Sequence, residues 1–386
     1  HCRLRIRTPS KRLNSMSLIA PIGLKPGQTG PATLDQVADG YAPFALAEIR
    51  REVAPDGAAL FVLRDGQRLP AVRDALSFAA PGIPVLELPG WACLPYDRVS
   101  PGSDAAARRL DALAAMAALR HKPHPAFVLT TANALLQRMP TPETIEAQAF
   151  SAKPGNIVEM KVLLGRLEAS GFERVATVRE VGEYAVRGGI LDLYVPGTDD
   201  ALRLDFFGDT LESIRAFDVA TQLTTGQRKQ LTLNPMSEVT LTPDAISRFR
   251  RAYIDLFGAP SRDDALYAAI SEGRRFAGME HWLPLFHEEM ATVFDYLPGV
   301  PVVYDNLARE ALAERHTLIL DHYEARSRQS AGKELGDAVP YKPVPHQRMY
   351  LSPDELDGVA GDRLRIDMTG FELPPSNMRR LLHARS

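Results

Sequence analysis

The chain of 386 residues holds only two cysteines, Cys2 and Cys93. They lie far apart in sequence and offer neither a disulfide framework nor a zinc-ligand spacing. No apolar run approaches the roughly 20 residues that span a bilayer, and no apolar signal-peptide core is present. A reducing cytoplasm is therefore the expected compartment, with no membrane partner. A phosphate cradle of the GxxxxGK-Ser/Thr type is also missing. Where Gly332–Lys333 comes closest, Ser327 stands at the place of the first glycine and Glu334 follows the lysine. There is no GxSxG elbow and no HExxH helix, which removes the readable signals for a serine hydrolase or a zinc peptidase. With Lys+Arg 45 against Asp+Glu 48, the net charge is only −3. A protein that coats nucleic acid by bulk charge is excluded by that balance.

What is present is ordinary globular composition, 45% hydrophobic and 24% charged, over a length that implies two or three domains. The first residues carry Arg3, Arg5, Arg7, Lys11 and Arg12 without an acid ahead of Met16. We read 1–16 as an extraneous basic tail before a start at Met16, a targeting tail being the alternative.

After the Gly/Pro-punctuated stretch "PIGLKPGQTGPA", residues 17–149 read as alternating strands and helices. "AALFVL", "IPVLELP" and "HPAFVLTT" are buried strands. Between the last two runs an alanine-rich helix capped by Ser103 or Asp104. This order implies a parallel sheet covered by helices. Residues 150–234 differ: a helix through Met160, Leu163, Leu164 and Leu167 ends at Gly171, then come short strands "RVATVREV", "GGILDLYV", "LRLDFF" and "LESIRAFD". That is an antiparallel α+β insertion. From 235 to 350 helices return around one buried strand, "VPVVYDN". The proline-rich 351–386 reads as a connector.

His121 and His124 in "HKPH" read as a solvated turn, and His281 and His287 as packing residues around Trp282 and Phe286. Asp305 ends "VVYDN" in the manner of a magnesium-holding acid, but Asn306 follows it where a second carboxylate would orient water. We read it as the end of a core strand.

The stretch "EVGEYAVRGGILDLYVPG" is more informative. Strand alternation puts Leu191, Leu193 and Val195 on one face and Ile190, Asp192 and Tyr194 on the other. In "LRLDFF", Leu202, Leu204 and Phe206 oppose Arg203, Asp205 and Phe207, and Arg187 can join that polar face. Arginine beside an exposed phenylalanine is a pairing that protein interfaces enrich. The alternative pairs Arg203 with Asp205 or a cross-strand acid and lets Phe207 cap a small core. Residues 151–230 hold 10 Lys+Arg against 12 Asp+Glu, 10 − 12 = −2, so a protein partner fits better than nucleic acid.

Four segments, "LPGWACLPYDRVSP", "EVGEYAVRGGILDLYVPG", "LRLDFFGDTLESIRAFDVATQ" and "GMEHWLPLFHEEMATVFDYLP", together resemble the N-terminal region of the bacterial transcription-repair coupling factors (Mfd). The resemblance runs in unbroken order over roughly residues 40–320. It implies a degenerate, P-loop-less helicase-like α/β domain, similar to UvrB, in two parts (17–149 and 235–350). The UvrA-binding domain would be inserted between them at 150–234. A UvrB would carry a working P-loop and a damage-probing hairpin, whereas "LPYDRVSPGSDAAARR" passes directly into a helix. A UvrB-like helicase fragment with nucleotide- or DNA-dependent activity is the alternative.

The resemblance further implies a non-enzymatic front module without cofactor. It would recruit UvrA to stalled RNA polymerase in transcription-coupled nucleotide excision repair and restrain the parent's motor. RNA polymerase, double-stranded DNA, ATP and magnesium would belong to domains beyond Ser386. In the family, UvrA recognition uses arginines and a phenylalanine at the positions of Arg187, Arg203 and Phe207. Their truncation is expected to leave thermal stability nearly unaltered.

Overall fold

A computed structural model describes residues 21–196, 198, 200–331, 341–374 and 380–383. The basic tail 1–16 and the Gly332–Lys333 pair lie outside the described residues.

Ala58–Leu63 and Ala126–Thr131 are buried at every position, as parallel strands covered on both faces must be. They belong to a seven-stranded sheet, parallel throughout. Its spatial order is Arg380–His383, Gly30–Asp35, Leu364–Met368, Val302–Tyr304, Ala58–Leu63, Ala126–Thr131, Val85–Leu88. Alternation divides each strand between two cores. Leu60, Val62, Val128 and Val302 enter one, with Leu113 and Met116 of the helix Ser103–His121. Phe61, Leu63, Phe127 and Val303 enter the other, with Leu46 and Ile49 of the helix Ala42–Val53 and Leu76 of Leu69–Ala79. Val302 lies opposite Leu60, so strands some 240 residues apart in sequence are neighbours in one sheet. The fold is α/β and helicase-like, with an inserted second unit.

The structure departs from the sequence expectations at several places. Residues 351–386 are not simply a connector. A helix Pro353–Ala360, started by a capping box between Ser352 and Glu355, leads into Leu364–Met368 at the centre of the sheet. Its five residues bury only Leu364, Ile366 and Met368, too brief an alternation to stand out among prolines and glycines. Likewise the Gly/Pro-rich opening hides the first part of Gly30–Asp35, whose partner Leu364–Met368 lies over 300 residues away. Finally, Gly102 occupies the N-cap position of the helix that opens at Ser103, so neither Ser103 nor Asp104 caps it.

The insertion stands on a two-stranded neck, Phe150–Ala152 against Leu231–Leu233. Above it lies a six-stranded sheet ordered Thr224–Gln227, Thr210–Phe217, Ala201–Phe207, Ile190–Leu193, Glu183–Arg187, Glu173–Arg174. Its pairs are antiparallel except the last, which is parallel. Only Arg174 of "RVATVREV" thus lies in a strand, the two-residue Glu173–Arg174, and Val175 and Val178 instead pack over the sheet from a loop. The inner face puts Tyr184, Leu191, Leu193, Leu202, Leu204 and Ile214 against Leu163 and Leu167 of the helix Met160–Ser170. That helix ends at Gly171 with φ +97, a left-handed cap that glycine adopts without a Cβ penalty.

The neck is clamped to the body by a buried network. Arg109, fully buried on the helix Ser103–His121, donates from Nε to Glu238 Oε1 at 3.1 Å and from Nη1 to the Pro89 carbonyl at 2.8 Å. Trp91 donates to Glu238 Oε2 at 2.6 Å. Asn234 Nδ2 donates to Asp111 at 2.8 Å. An unpaired charge at such depth would cost several kcal/mol, so Glu238 is held where the insertion rejoins the body.

Candidate protein-docking face

Two tight hairpins define one end of the inserted sheet. Arg187 and Ile190 face each other across Gly188–Gly189, and Phe207 and Thr210 across Gly208–Asp209. Gly188 has φ +61 and Gly208 φ +58, which suits glycine at the first central position of a two-residue hairpin. At Gly189 the constraint is space: a Cβ would sit 2.7 Å from the Phe206 carbonyl oxygen. The double glycine after Arg187 is therefore a requirement of the turn and of the neighbouring strand.

Cross-strand partners share a face of a sheet. One row runs Arg187, Ile190, Asp205, Ser213. The row below runs Ala185, Asp192, Arg203, Arg215, Gln227. Phe207 lies two residues beyond Asp205, so Arg187, Arg203 and Phe207 all occupy the outer face. Arg203 and Phe207 are four residues apart, about 13 Å along the strand.

Their environments differ. Phe207 is 77% exposed and covers no core. Arg187 is exposed, with Nη2 donating to the Ala176 carbonyl at 2.9 Å and to Thr177 Oγ1 at 3.1 Å. Those bonds brace the guanidinium and leave it in water. Arg203 instead grips the cross-strand Asp192, Nε to Oδ1 at 2.7 Å and Nη2 to Oδ2 at 2.9 Å. The two side chains are 17% and 3% exposed. The Arg203 guanidinium also lies 4.7 Å from the centre of the Phe217 ring. The hydrogen bonds it donates to Asp192 push the Arg203 pKa further up, so it is a permanent cation. The expectation that truncating Arg203 leaves stability unaltered is therefore corrected, because its removal strands a buried carboxylate.

Between Arg203 and Phe207, Asp205 accepts two hydrogen bonds from Arg215, at 2.9 and 2.6 Å, and one from Ser213. Burial alone would raise the Asp205 pKa, but the hydrogen bonds from Arg215 and Ser213 hold it below the ordinary carboxylate value. The lower part of the face is closed by the loop carrying Val178, which buries Ala185, Ala201 and Phe217. The upper part, around the hairpins, is open.

One more residue joins this open end. Ile157, 80% exposed, forms an antiparallel bridge with Thr210 on the side of that strand away from Phe207. In sequence it is a single apolar residue in "PGNIVEM" and carries no periodic signal.

His281 is buried and packs edge-on against Trp91, ring centres 5.5 Å apart. His287 Nε2 donates to the Glu238 carbonyl at 3.0 Å. His121 pairs with Glu146, and no group of three or more His, Cys, Asp or Glu residues among the described residues is arranged to hold a metal ion. Asp305 is buried, and burial pushes its pKa up against the pull of the Arg68 guanidinium bonded to it. Arg68 closes the loop "RDGQR" between the strand Ala58–Leu63 and the helix Leu69–Ala79. In a P-loop protein that strand–loop–helix turn cradles phosphate. Here an internal arginine lies against the neighbouring acid.

Comparison with known proteins adds the following. Residues 150–239 match a family model described as the UvrB interaction domain. The chain is 33% identical to the transcription-repair-coupling factor of Haemophilus influenzae, over 84% of this chain and 27% of the relative. With that of Escherichia coli it shares 31% identity over 75% of this chain and 24% of the relative. With that of Myxococcus xanthus the figures are 36%, 64% and 21%. The chain spans about a quarter of the length of the curated relatives it matches.

Proposed function

Since the chain belongs to the family of transcription-repair-coupling factors and corresponds to its N-terminal, UvrB-like module, we propose that it is an adaptor that docks UvrA through the open end of the inserted sheet. The observation that carries this reading is the placement of Phe207, 77% exposed, on the same face as the exposed Arg187 and at the end that the Val178 loop leaves open. A large aromatic kept in water has no folding benefit to explain it, and aromatic–arginine pairs are typical centres of protein interfaces. Arg203 completes the patch from its exposed edge, while Asp192 fixes its orientation.

As part of a longer coupling factor, the module recruits UvrA to stalled RNA polymerase and restrains the motor. RNA polymerase, double-stranded DNA, ATP and magnesium are then bound by the remainder of that protein. Against the alternative of a nucleotide-dependent enzyme fragment stands the Arg68–Asp305 pair, which neutralises internally the acid that magnesium would need.

Calorimetric titration of UvrA into the chain tests the reading. Phe207→Ala is expected to weaken binding at least about 30-fold, as hot-spot truncation does. Arg187→Ala is expected to lose affinity mainly at low salt. Binding unchanged in both variants would refute the docking face. Saturable binding of magnesium-ATP would refute the non-enzymatic reading.

A further inference from the structure

We propose that the docking face continues across the sheet edge onto Ile157, so that the partner is gripped by two apolar anchors, Ile157 and Phe207, on either side of Thr210. This rests on the docking reading above and extends it to a residue outside the arginine–phenylalanine set.

Three observations carry it. The first is position. Ile157 and Thr210 form a bridge in which Val158 N donates to the Asp209 carbonyl at 2.6 Å and Leu211 N to the Asn156 carbonyl at 3.0 Å. Those bonds flank the pair, which makes it the close, non-hydrogen-bonded kind with Cα atoms roughly 4.5 Å apart. Phe207 pairs with Thr210 on the other side, at roughly 5.5 Å. Ile157, Thr210 and Phe207 thus form one row about 10 Å long on the same face.

The second is exposure. Ile157 is 80% and Phe207 77% exposed, and two large apolar side chains in one row make a patch rather than a scattered surface residue.

The third is rigidity. The segment that presents Ile157 is pinned on both sides of it: ahead, Gly155 N donates to the Leu211 carbonyl at 2.7 Å, and after it Val158 N donates to the Asp209 carbonyl at 2.6 Å. A pre-ordered anchor loses little conformational freedom on binding.

The occupant is the same partner that seats Phe207. It is expected to lay apolar side chains along the Ile157–Phe207 row and to set a carboxylate against Arg187, which stands exposed one row below Phe207.

The test is UvrA binding to the full 386-residue chain carrying Ile157→Ala, Phe207→Ala, both together, or Leu223→Ala. Leu223 is 68% exposed but lies at the opposite end of the sheet, beside Asp218. It therefore reports any general effect of losing surface apolar area. Ile157→Ala is expected to weaken binding about 10-fold, or about 1.4 kcal/mol, with no dependence on salt. Its effect should multiply with that of Phe207→Ala, since the two stand about 10 Å apart along the row. Leu223→Ala should bind as the unaltered chain does, and melting of all variants should be unchanged. Weakening by Phe207→Ala with full affinity in Ile157→Ala would overturn the extension and leave the docking reading standing. Full affinity in both, or no UvrA binding by the unaltered chain, would overturn the two together. Equal losses in Ile157→Ala and Leu223→Ala would refute a localised anchor.

Discussion

Arg203→Ala separates frame from contact on the docking face. The substitution leaves Asp192, whose side chain is 3% exposed, without its two hydrogen bonds at 2.7 and 2.9 Å. Removing one partner of a buried ion pair costs about 3–5 kcal/mol, because the remaining charge must be desolvated alone. Arg203 is itself 17% exposed, so water entering behind the truncated side chain moves the figure to the low end of that range. Loss of the guanidinium over the Phe217 ring adds about 0.5–1 kcal/mol. We expect about 3.5–4 kcal/mol, against roughly 0.5 kcal/mol for an ordinary surface change. Urea unfolding of the whole chain, followed by far-UV circular dichroism, measures it. Hydrogen exchange of amides in Ala201–Phe207 assigns the loss to the insertion. The double variant Arg203→Leu/Asp192→Val removes both charges together and should recover to within about 1 kcal/mol of the unaltered chain. A loss below about 1 kcal/mol for Arg203→Ala would show that the pair is merely a surface contact. A double variant no better than the single would show that the guanidinium itself, and not the stranded carboxylate, sets the cost.

Burial pushes the His281 imidazole down to about 4 from its ordinary 6.5. The folded state thus favours the neutral ring, and this contribution is complete above pH 6.5 and is lost as pH falls towards 4. Its size is on the order of 3 kcal/mol. Because burial lowers His287 in the same direction, His281→Gln should flatten only part of the slope of unfolding free energy between pH 6.5 and 4. An unchanged slope would refute the assignment. At the neck, Glu238→Ala should destabilise by about 3–5 kcal/mol, because the fully buried Arg109 loses its carboxylate. Faster amide exchange in Phe150–Ala152 and Leu231–Leu233 is the expected signature, and unaltered exchange there would refute the clamp.

Much of the fold is legible in the sequence because its strongest signals are local. Continuous apolar runs such as "AALFVL" mark strands buried on both faces, and the glycines at 188 and 208 mark hairpins that need a positive φ. Alternation along "LRLDFF" places Arg203 and Phe207 on one side and Leu202 and Leu204 on the other without reference to any neighbour. Other features depend on groups distant in sequence. Leu364–Met368 is a central strand only because Gly30–Asp35 and Val302–Tyr304 flank it, and five residues carry too little pattern to announce that. Alternation assigns Arg203 to the polar face, but only register sets it opposite Asp192 and converts a candidate contact into a framing ion pair. Ile157 becomes neighbour to Phe207 solely through the bridge to Thr210. Side-chain direction follows from the period of two along a strand, so the sequence alone determines it. Partnership across strands follows from which chain segments the sheet brings together, and only the tertiary structure decides that.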